Sequence, residues 1–166
     1  SFLSFTLALE HAHNHPDKKI ILADMCPQAN LSEIVLGGNG KGNANLEKIL
    51  SLGSQRKTIG GYFDERITSP HKATGNETSY LTSACDYNEQ IPNNVYLLCG
   101  DPSLELQAQV INQIGSQTLP ADAWKTVHLW LRDLINACVR KLGDPEGVTV
   151  FIDCNPSFSA YTELAI

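Results

Sequence analysis

Two short apolar segments, each ending in a single aspartate, constrain the fold of this chain most strongly. Residues 19–24 read KIILAD, and residues 148–153 read VTVFID. A third apolar run, NVYLLC, covers residues 94–99. Continuous apolar runs of this length are typical of strands that are buried on both faces, as in parallel sheets. Long helical patterns separate the three runs, so the sequence predicts parallel strands that are joined by crossover helices.

Helical apolar patterns flank the predicted strands. Segment 120–142 has apolar residues at spacings of three and four and is followed by Gly143, which predicts a long amphipathic helix. Asp101 can cap a helix that has Pro102 at its first position. An earlier helix is predicted before Asn14, with an apolar face formed by Phe2, Phe5, Leu9 and Ala12. The predicted fold is therefore α/β, a doubly wound and mostly parallel sheet with helices on both faces.

The charge and cysteine content limit the classes of function. The net charge is −6, and the basic residues occur as scattered pairs such as Lys18-Lys19 and Arg56-Lys57. Phosphate affinity comes from clustered cations, so this segment alone is predicted to bind nucleic acid poorly, and an anionic membrane surface is disfavoured for the same reason. The chain has five cysteines and no C-x-x-C spacing, which predicts free thiols in a reducing cytoplasm.

The length of 166 residues predicts one domain, residues 1–166, with a hydrophobic core. No apolar run reaches the length of a membrane span. Helical patterns run up to both ends of the chain, with SFLSFTLALEHA at the start and YTELAI at the end. We therefore expect a domain that is truncated at both ends and belongs to a longer protein.

Asp24 and Asp153 are each the first polar residue after a predicted strand. The carboxyl ends of parallel strands form one rim of the sheet, where ligands bind in such folds. Two carboxylates at that rim predict a Mg²⁺–phosphate site, because Mg²⁺ prefers oxygen ligands. The alternative is that the two aspartates only cap helices or loops at the strand ends. The glycine-rich segment GGNGKG, residues 37–42, is not the phosphate loop, because no strand precedes it and Gly42 follows Lys41 in place of Ser or Thr.

Three segments resemble the ParA/MinD/Soj family of deviant Walker A ATPases. SFLSFTLA at the start is similar to the helix that follows the K-G-G-x-G-K-[ST] phosphate loop of that family. LADMCPQANLSEIVLG, from Leu22, resembles the strand and D-x-D-P-Q-x-N stretch, and VTVFIDCNPSFSAYTELAI, from Val148, resembles the Walker B region. A weaker similarity covers residues 96–103, whereas residues 38–93 match nothing in the family.

The resemblance implies a nucleotide site with ATP and Mg²⁺ as cofactors. Ser1 matches the phosphate-loop hydroxyl residue, which ligates Mg²⁺ in the family, and both loop lysines are expected upstream of it. Asp153 matches the Walker B aspartate, and Asp24 matches the first aspartate of D-x-D. The implied metal ligands are thus Ser1, Asp24 and Asp153, the implied catalytic positions are Asp24 and Cys26, and the implied nucleotide-contacting residues are Ser1, Pro27, Gln28, Asp153, Pro156 and Ser157.

Cys26 stands where the family has its second aspartate, the residue that positions the attacking water. A thiol at its ordinary pKa is mostly protonated and accepts hydrogen bonds weakly. Phosphoryl transfer depends largely on positioning and electrostatics, so this departure predicts that ATP binding persists while hydrolysis slows. For Gln28 and Asn30, a role in the site or across a dimer and a role in the local turn are equally supported.

Two functions follow from the resemblance. The first is a Mg²⁺-dependent ATPase that forms nucleotide-dependent homodimers and partitions DNA or positions another cellular cargo. A ParB-like activator and DNA would be contacted through regions outside this chain. The second is an ATP-gated binding or regulatory module that hydrolyses ATP weakly or not at all. A synthetase on the same scaffold stays open, whereas an iron–sulfur relative is disfavoured by the cysteine spacing.

Overall fold

A four-stranded mixed sheet organises the part of the chain that the computed structural model describes, which is residues 1–51, 56–70, 72–116 and 121–154. The strands are β1 Lys19–Asp24, β2 Leu81–Ser83, β3 Val95–Leu98 and β4 Val148–Asp153. Their order in the sheet is β2-β3-β1-β4, so β1 lies in the interior of the sheet. The three apolar runs of the sequence correspond to β1, β3 and β4, and the α/β class is confirmed.

Parallel pairing joins β1 to both of its neighbours. Ile20 pairs with Val95 of β3, and Lys19 pairs with Val148 of β4. The short edge strand β2 pairs with β3 in the antiparallel direction. The sequence did not predict β2, because three residues are too short to show a strand pattern. The sheet is therefore mixed, with two parallel pairings and one antiparallel pairing.

Six α-helices accompany the strands in the described ranges: α1 Phe2–Asn14, α2 Asn30–Val35, α3 Lys41–Leu50, α4 Ile59–Thr68, α5 Ser103–Ser116 and α6 Ala121–Leu142. Helix α3 begins inside the glycine-rich segment at residues 37–42. Residues 37–40 all have positive φ, so the chain reversal is confined to these four residues and the helix follows at once. None of the helices described in these ranges is long and apolar enough to cross a bilayer.

Helices cover both faces of the sheet, because successive side chains of β1 point to opposite sides. Ile21 and Ala23 belong to a core cluster with Phe63 of α4 and Trp130 of α6. Side chains of Ile20 and Leu22 join a second cluster with buried residues of α1, α2 and α3, namely Ala8, Ala12, Leu31, Val35, Leu46 and Ile49. The arrangement with helices on both faces, predicted from the sequence, is confirmed.

The apolar face predicted for α1 is correct in part. Ala12 is buried, and Phe5 and Leu9 pack against the second cluster. Phe2, however, is 74% exposed. The first turn of α1 lies at the carboxyl end of the sheet, where Ser4 contacts the last residue of β4, so Phe2 has no sheet surface to pack against.

Candidate functional site

The carboxyl ends of β1 and β4 bring two aspartates together. Asp24 and Asp153 are direct partners in the parallel register of these strands, as the strand pattern predicted. One ligand atom from each of Asp24, Cys26 and Asp153 can be chosen so that all three lie within 4.8 Å of one another. We refer to this group of three residues as the rim cluster. All three residues are buried.

Asp24 is fully buried and accepts three hydrogen bonds. Its Oδ1 accepts from the Cys26 amide at 3.1 Å, and its Oδ2 accepts from the amide and the hydroxyl of Ser32, each at 2.8 Å. Ser32 lies in the first turn of α2, whose N-cap residue, Ala29, has a φ of 51° and no capping side chain. Asp24 therefore caps α2 from the end of the neighbouring strand.

Burial raises the pKa of Asp24 to about 6. The hydrogen bonds from Ser32 and Cys26 oppose this shift, and the nearby charge of Asp153 adds to it. Desolvation of the carboxylate prevails because Asp24 has no exposed surface. The carboxyl group that caps α2 at the rim is therefore one with a raised pKa.

Cys26 lies between the two carboxylates. Its side chain is 8% exposed, and its Sγ is 3.9 Å from both the Oδ2 and the backbone oxygen of Asp153. Burial raises the pKa of the Cys26 thiol to about 12, and the charges of Asp24 and Asp153 act in the same direction. The thiol is therefore protonated at neutral pH and does not act as a general base.

Asp153 faces the start of α1. Its Oδ1 accepts a 2.7 Å hydrogen bond from the Ser4 hydroxyl, and the Ser1 nitrogen lies 3.1 Å from the same oxygen. Burial alone would raise the pKa of Asp153, but hydrogen bonds from the Ser1 and Ser4 side chains lower it below its ordinary value. The structure thus brings Ser1 to Asp153.

Ser4 is a site residue that the sequence analysis missed. It lies three positions after Ser1 on α1, so both hydroxyls fall on the same side of the helix. That spacing was visible in the sequence, but Ser4 has no counterpart among the quoted family motifs. Ser32 was missed for a different reason, since its role depends on Asp24 reaching α2 and on the Gly100 amide donating to the Ser32 hydroxyl at 3.0 Å.

The other residues predicted to contact the nucleotide are Pro27, Gln28, Pro156 and Ser157. Gln28 is exposed, and its Oε1 accepts a 3.2 Å hydrogen bond from Asn30, which favours a role for both in the local turn. Pro27 is half-buried beside Cys26. The predictions for Pro156 and Ser157 lie outside the described residues.

Asp101 is the strand-end carboxylate on the β3 side, and it is 1% exposed. Its Oδ1 accepts from the Ser103 amide at 2.8 Å, which confirms the predicted capping of α5. The Thr58 hydroxyl, which caps α4, donates to Asp101 Oδ2, and Arg56 Nε lies 3.7 Å from the same oxygen. Asp101 therefore holds the starts of α4 and α5 together at the end of β3.

Comparison with known proteins finds no matching family model, no matching curated protein and no matching solved structure. The similarity to the ParA/MinD/Soj family therefore stays a prediction from the quoted residues. The segment at residues 37–42 follows helix α2, in line with its rejection as a phosphate loop, which requires a preceding strand.

Oxygen donors suited to Mg²⁺ occur on the α1 side of the rim. The Ser1 hydroxyl and the Asp153 carboxylate are hard ligands of the kind that Mg²⁺ takes, and they lie next to each other. The sulfur of Cys26, on the other side of Asp153, is not a ligand of that kind. Ser1 and Asp153 could thus supply oxygen ligands to Mg²⁺, and the assignment of Ser1, Asp24 and Asp153 as Mg²⁺ ligands stays a prediction.

Proposed function

We propose that this chain is the nucleotide-binding part of a ParA-like protein with a P-loop NTPase fold, which binds ATP with Mg²⁺ and forms nucleotide-dependent homodimers. The cellular role that fits the resemblance is the partitioning of DNA or the positioning of another large cargo. DNA and a ParB-like activator would be bound through other parts of the protein, because this segment is acidic.

The contact between the start of α1 and Asp153 carries the proposal. Two hydroxyls, from Ser1 and Ser4, face the carboxylate that ends β4. A helix N-terminus favours negative charge, and the carboxyl ends of parallel strands are where α/β folds bind nucleotides. Ser1 and Asp153 would hold Mg²⁺ there, and the ion would supply neutralisation of phosphate charge. The α1 amides would face the phosphates from the same side.

We further propose that turnover is slow. Cys26 occupies the position from which a carboxylate would orient water, and its protonated thiol lies in a buried environment. Asp24 is engaged in capping α2 through three hydrogen bonds. These observations favour an ATP-gated dimerisation module over a rapidly cycling ATPase, because a protonated thiol and a carboxylate that caps α2 are poorly suited to positioning a nucleophile.

Nucleotide binding to the full-length protein tests the first part of the proposal. We expect wild-type protein to bind a fluorescent ATP analogue with Mg²⁺ and to lose that binding in EDTA. Asp153→Asn is expected to weaken binding at least tenfold. The matched control is Asp86→Asn, an exposed residue before β3. Wild-type protein that binds no nucleotide with Mg²⁺, or Asp153→Asn protein that binds as well as the control, would contradict the proposal.

Substitution at Cys26 tests the second part. We expect Cys26→Asp to raise ATP turnover at least tenfold in the presence of DNA and a ParB-like activator, while Cys85→Asp, the same change away from the rim, has no effect. If Cys26→Asp binds ATP but turns over at the wild-type rate, another group positions the water and the explanation for slow turnover is wrong.

A further inference from the structure

The rim cluster combines donor atoms of two kinds. Asp24 and Asp153 offer carboxylate oxygens, and Cys26 offers a sulfur, with one ligand atom from each within 4.8 Å of the others. The two carboxylates also have lone pairs that their hydrogen bonds leave unused. Among the described residues, the Cys26 amide alone donates to Asp24 Oδ1, and Asp153 Oδ2 faces the Cys26 sulfur at 3.9 Å. A lone pair on each of these oxygens is therefore available to a cation.

The separation of sulfur and oxygen matches a shared metal ion. Zinc-class ions bind thiolate sulfur at about 2.3 Å and carboxylate oxygen at about 2.0–2.2 Å. Two such ligands at tetrahedral or slightly wider angles lie about 3.5–4 Å apart. The distance of 3.9 Å between Cys26 Sγ and Asp153 Oδ2 falls within that range. The protonated thiol of Cys26 donates a long hydrogen bond to the same oxygen.

The donor atoms of the rim cluster select a cation by its preference for sulfur as well as by its size. Mg²⁺ requires near-octahedral oxygen coordination at about 2.0–2.1 Å and does not take sulfur. Thiolate ligands favour borderline and soft cations, of which Zn²⁺ is the commonest in proteins. The sulfur of Cys26 therefore makes the rim cluster a poor site for Mg²⁺, although the oxygens of Ser1 and Asp153 suit that ion.

We propose that Asp24, Cys26 and Asp153 form a binding site for a thiophilic divalent cation of the zinc class. Binding replaces the thiol proton of Cys26, which is released to solvent. This inference shares one residue, Asp153, with the Mg²⁺–nucleotide position of the proposed function, and it rests on that function in no other way. The metal site itself needs no nucleotide. A zinc-class ion held there competes with the Mg²⁺–ATP complex for that carboxylate.

Cobalt provides a direct probe, because Co²⁺ bound to thiolate gives an intense near-ultraviolet charge-transfer band. Full-length protein, reduced and free of nucleotide, is titrated with Co²⁺ and then with Zn²⁺ against a chromophoric chelator. We expect one equivalent to bind, with the band displaced by Zn²⁺ and unaffected by excess Mg²⁺. Cys26→Ser and Cys26→Ala should abolish the band, and Asp153→Asn should weaken Zn²⁺ binding at least tenfold.

Two other thiols supply the controls. Cys154 follows Asp153 directly in the chain, and Cys85 is half-buried near β2. Cys154→Ser and Cys85→Ser are expected to retain the band. The proposal is overturned if wild-type protein gives no band, or if the band survives in both Cys26 variants. Loss of the band in Cys154→Ser or Cys85→Ser would equally overturn the assigned ligand set. Unchanged circular dichroism confirms that each variant is folded.

The readouts separate this inference from the proposed function. A Cys26→Ser protein that binds ATP with Mg²⁺ but no longer binds Co²⁺ supports both. A wild-type protein that gives the cobalt band but no ATP binding retains the metal site and rejects the nucleotide proposal. A wild-type protein that binds ATP with Mg²⁺ but gives no cobalt band rejects the metal site and retains the nucleotide proposal.

Discussion

The Ser4 hydroxyl donates a 2.7 Å hydrogen bond to Asp153 Oδ1 and so joins the first turn of α1 to the end of β4. This bond spans 149 positions of the chain. It connects the two parts of the rim that the sequence motifs place furthest apart. The bond also helps to keep Asp153 ionised, since it contributes to the lowered pKa of that carboxyl.

Removing this bond is expected to destabilise the fold. Ser4→Ala should lower the free energy of unfolding by about 1.5 kcal/mol at neutral pH, the scale of a hydrogen bond to a charged group. Asp153 has a depressed pKa when folded, so this loss is present at neutral pH and shrinks as the pH falls through the acid range. Urea unfolding at several pH values measures it. The control is Thr6→Ala, since Thr6 bonds only to its own helix at an exposed position; equal losses in the two variants would rule out a special role for Ser4.

Ionisation of Asp24 is expected to cost stability. Its folded pKa, about 6, lies above the ordinary value of 3.8, so the folded state holds the proton more tightly than the unfolded state. Relative to Asp24→Asn, wild-type protein should therefore lose about 3 kcal/mol as the pH rises from 4 to above 6, in buffer without divalent cations. Denaturant unfolding of both proteins gives this difference. The control is the exposed Asp17→Asn variant, for which the difference in unfolding free energy from wild type should not change with pH. If the difference for Asp24→Asn does not change with pH either, the hydrogen bonds to the Asp24 carboxylate fully compensate its burial.

Gly100 permits the end of β3 to lie against the rim. A Cβ at this position would come within 2.8 Å of the backbone oxygens of Asp24 and Cys26. Backbone atoms cannot yield as a side chain can, so Gly100→Ala should destabilise the protein by about 1–3 kcal/mol. Gly147→Ala is the matched control, because nothing lies within 4 Å of a Cβ there. Thermal unfolding compares the two, and similar stabilities would argue against close packing at Gly100.

Arg66 packs against the core cluster that contains Phe63 and Trp130. Its side chain is 3% exposed, pairs with Asp133 at 2.9 Å and stacks over the Trp130 ring. Arg66→Ala should destabilise the protein by about 3 kcal/mol, because it leaves a cavity and removes both interactions. Arg132→Ala, exposed on α6, should change stability by less than about 0.5 kcal/mol. Equal effects in chemical denaturation would contradict this view of Arg66.

The strands and the rim aspartates could be predicted from the sequence because they depend on local patterns. An apolar run that ends in one carboxylate identifies β1 and β4, and parallel pairing then brings Asp24 and Asp153 to the same edge. The α6 pattern was equally direct, since the burial of Leu131, Leu134 and Cys138 follows helical spacing. Strand β2 could not be predicted, because three residues carry too little pattern to separate a strand from a loop.

The contacts of the rim depend on packing that a local pattern does not show. Asp24 was assigned to metal binding from its position, whereas its oxygens also cap α2 through Ser32. That role arises because Ala29 cannot cap the helix. The environment of Cys26 was likewise invisible, since the distance to Asp153 depends on the register between β1 and β4.

The parallel pairing of β1 with β4 has a kinetic consequence. Cys26 and Asp153 meet across 127 positions, so the rim closes only after both crossover segments have been ordered. Contacts of such sequence separation slow folding, because the entropy of closing long loops is lost before the contacts form. A ligand at the rim binds only chains that have completed this step and stabilises them by mass action. Ligand-dependent protection from proteolysis would therefore follow the last stage of folding of this chain.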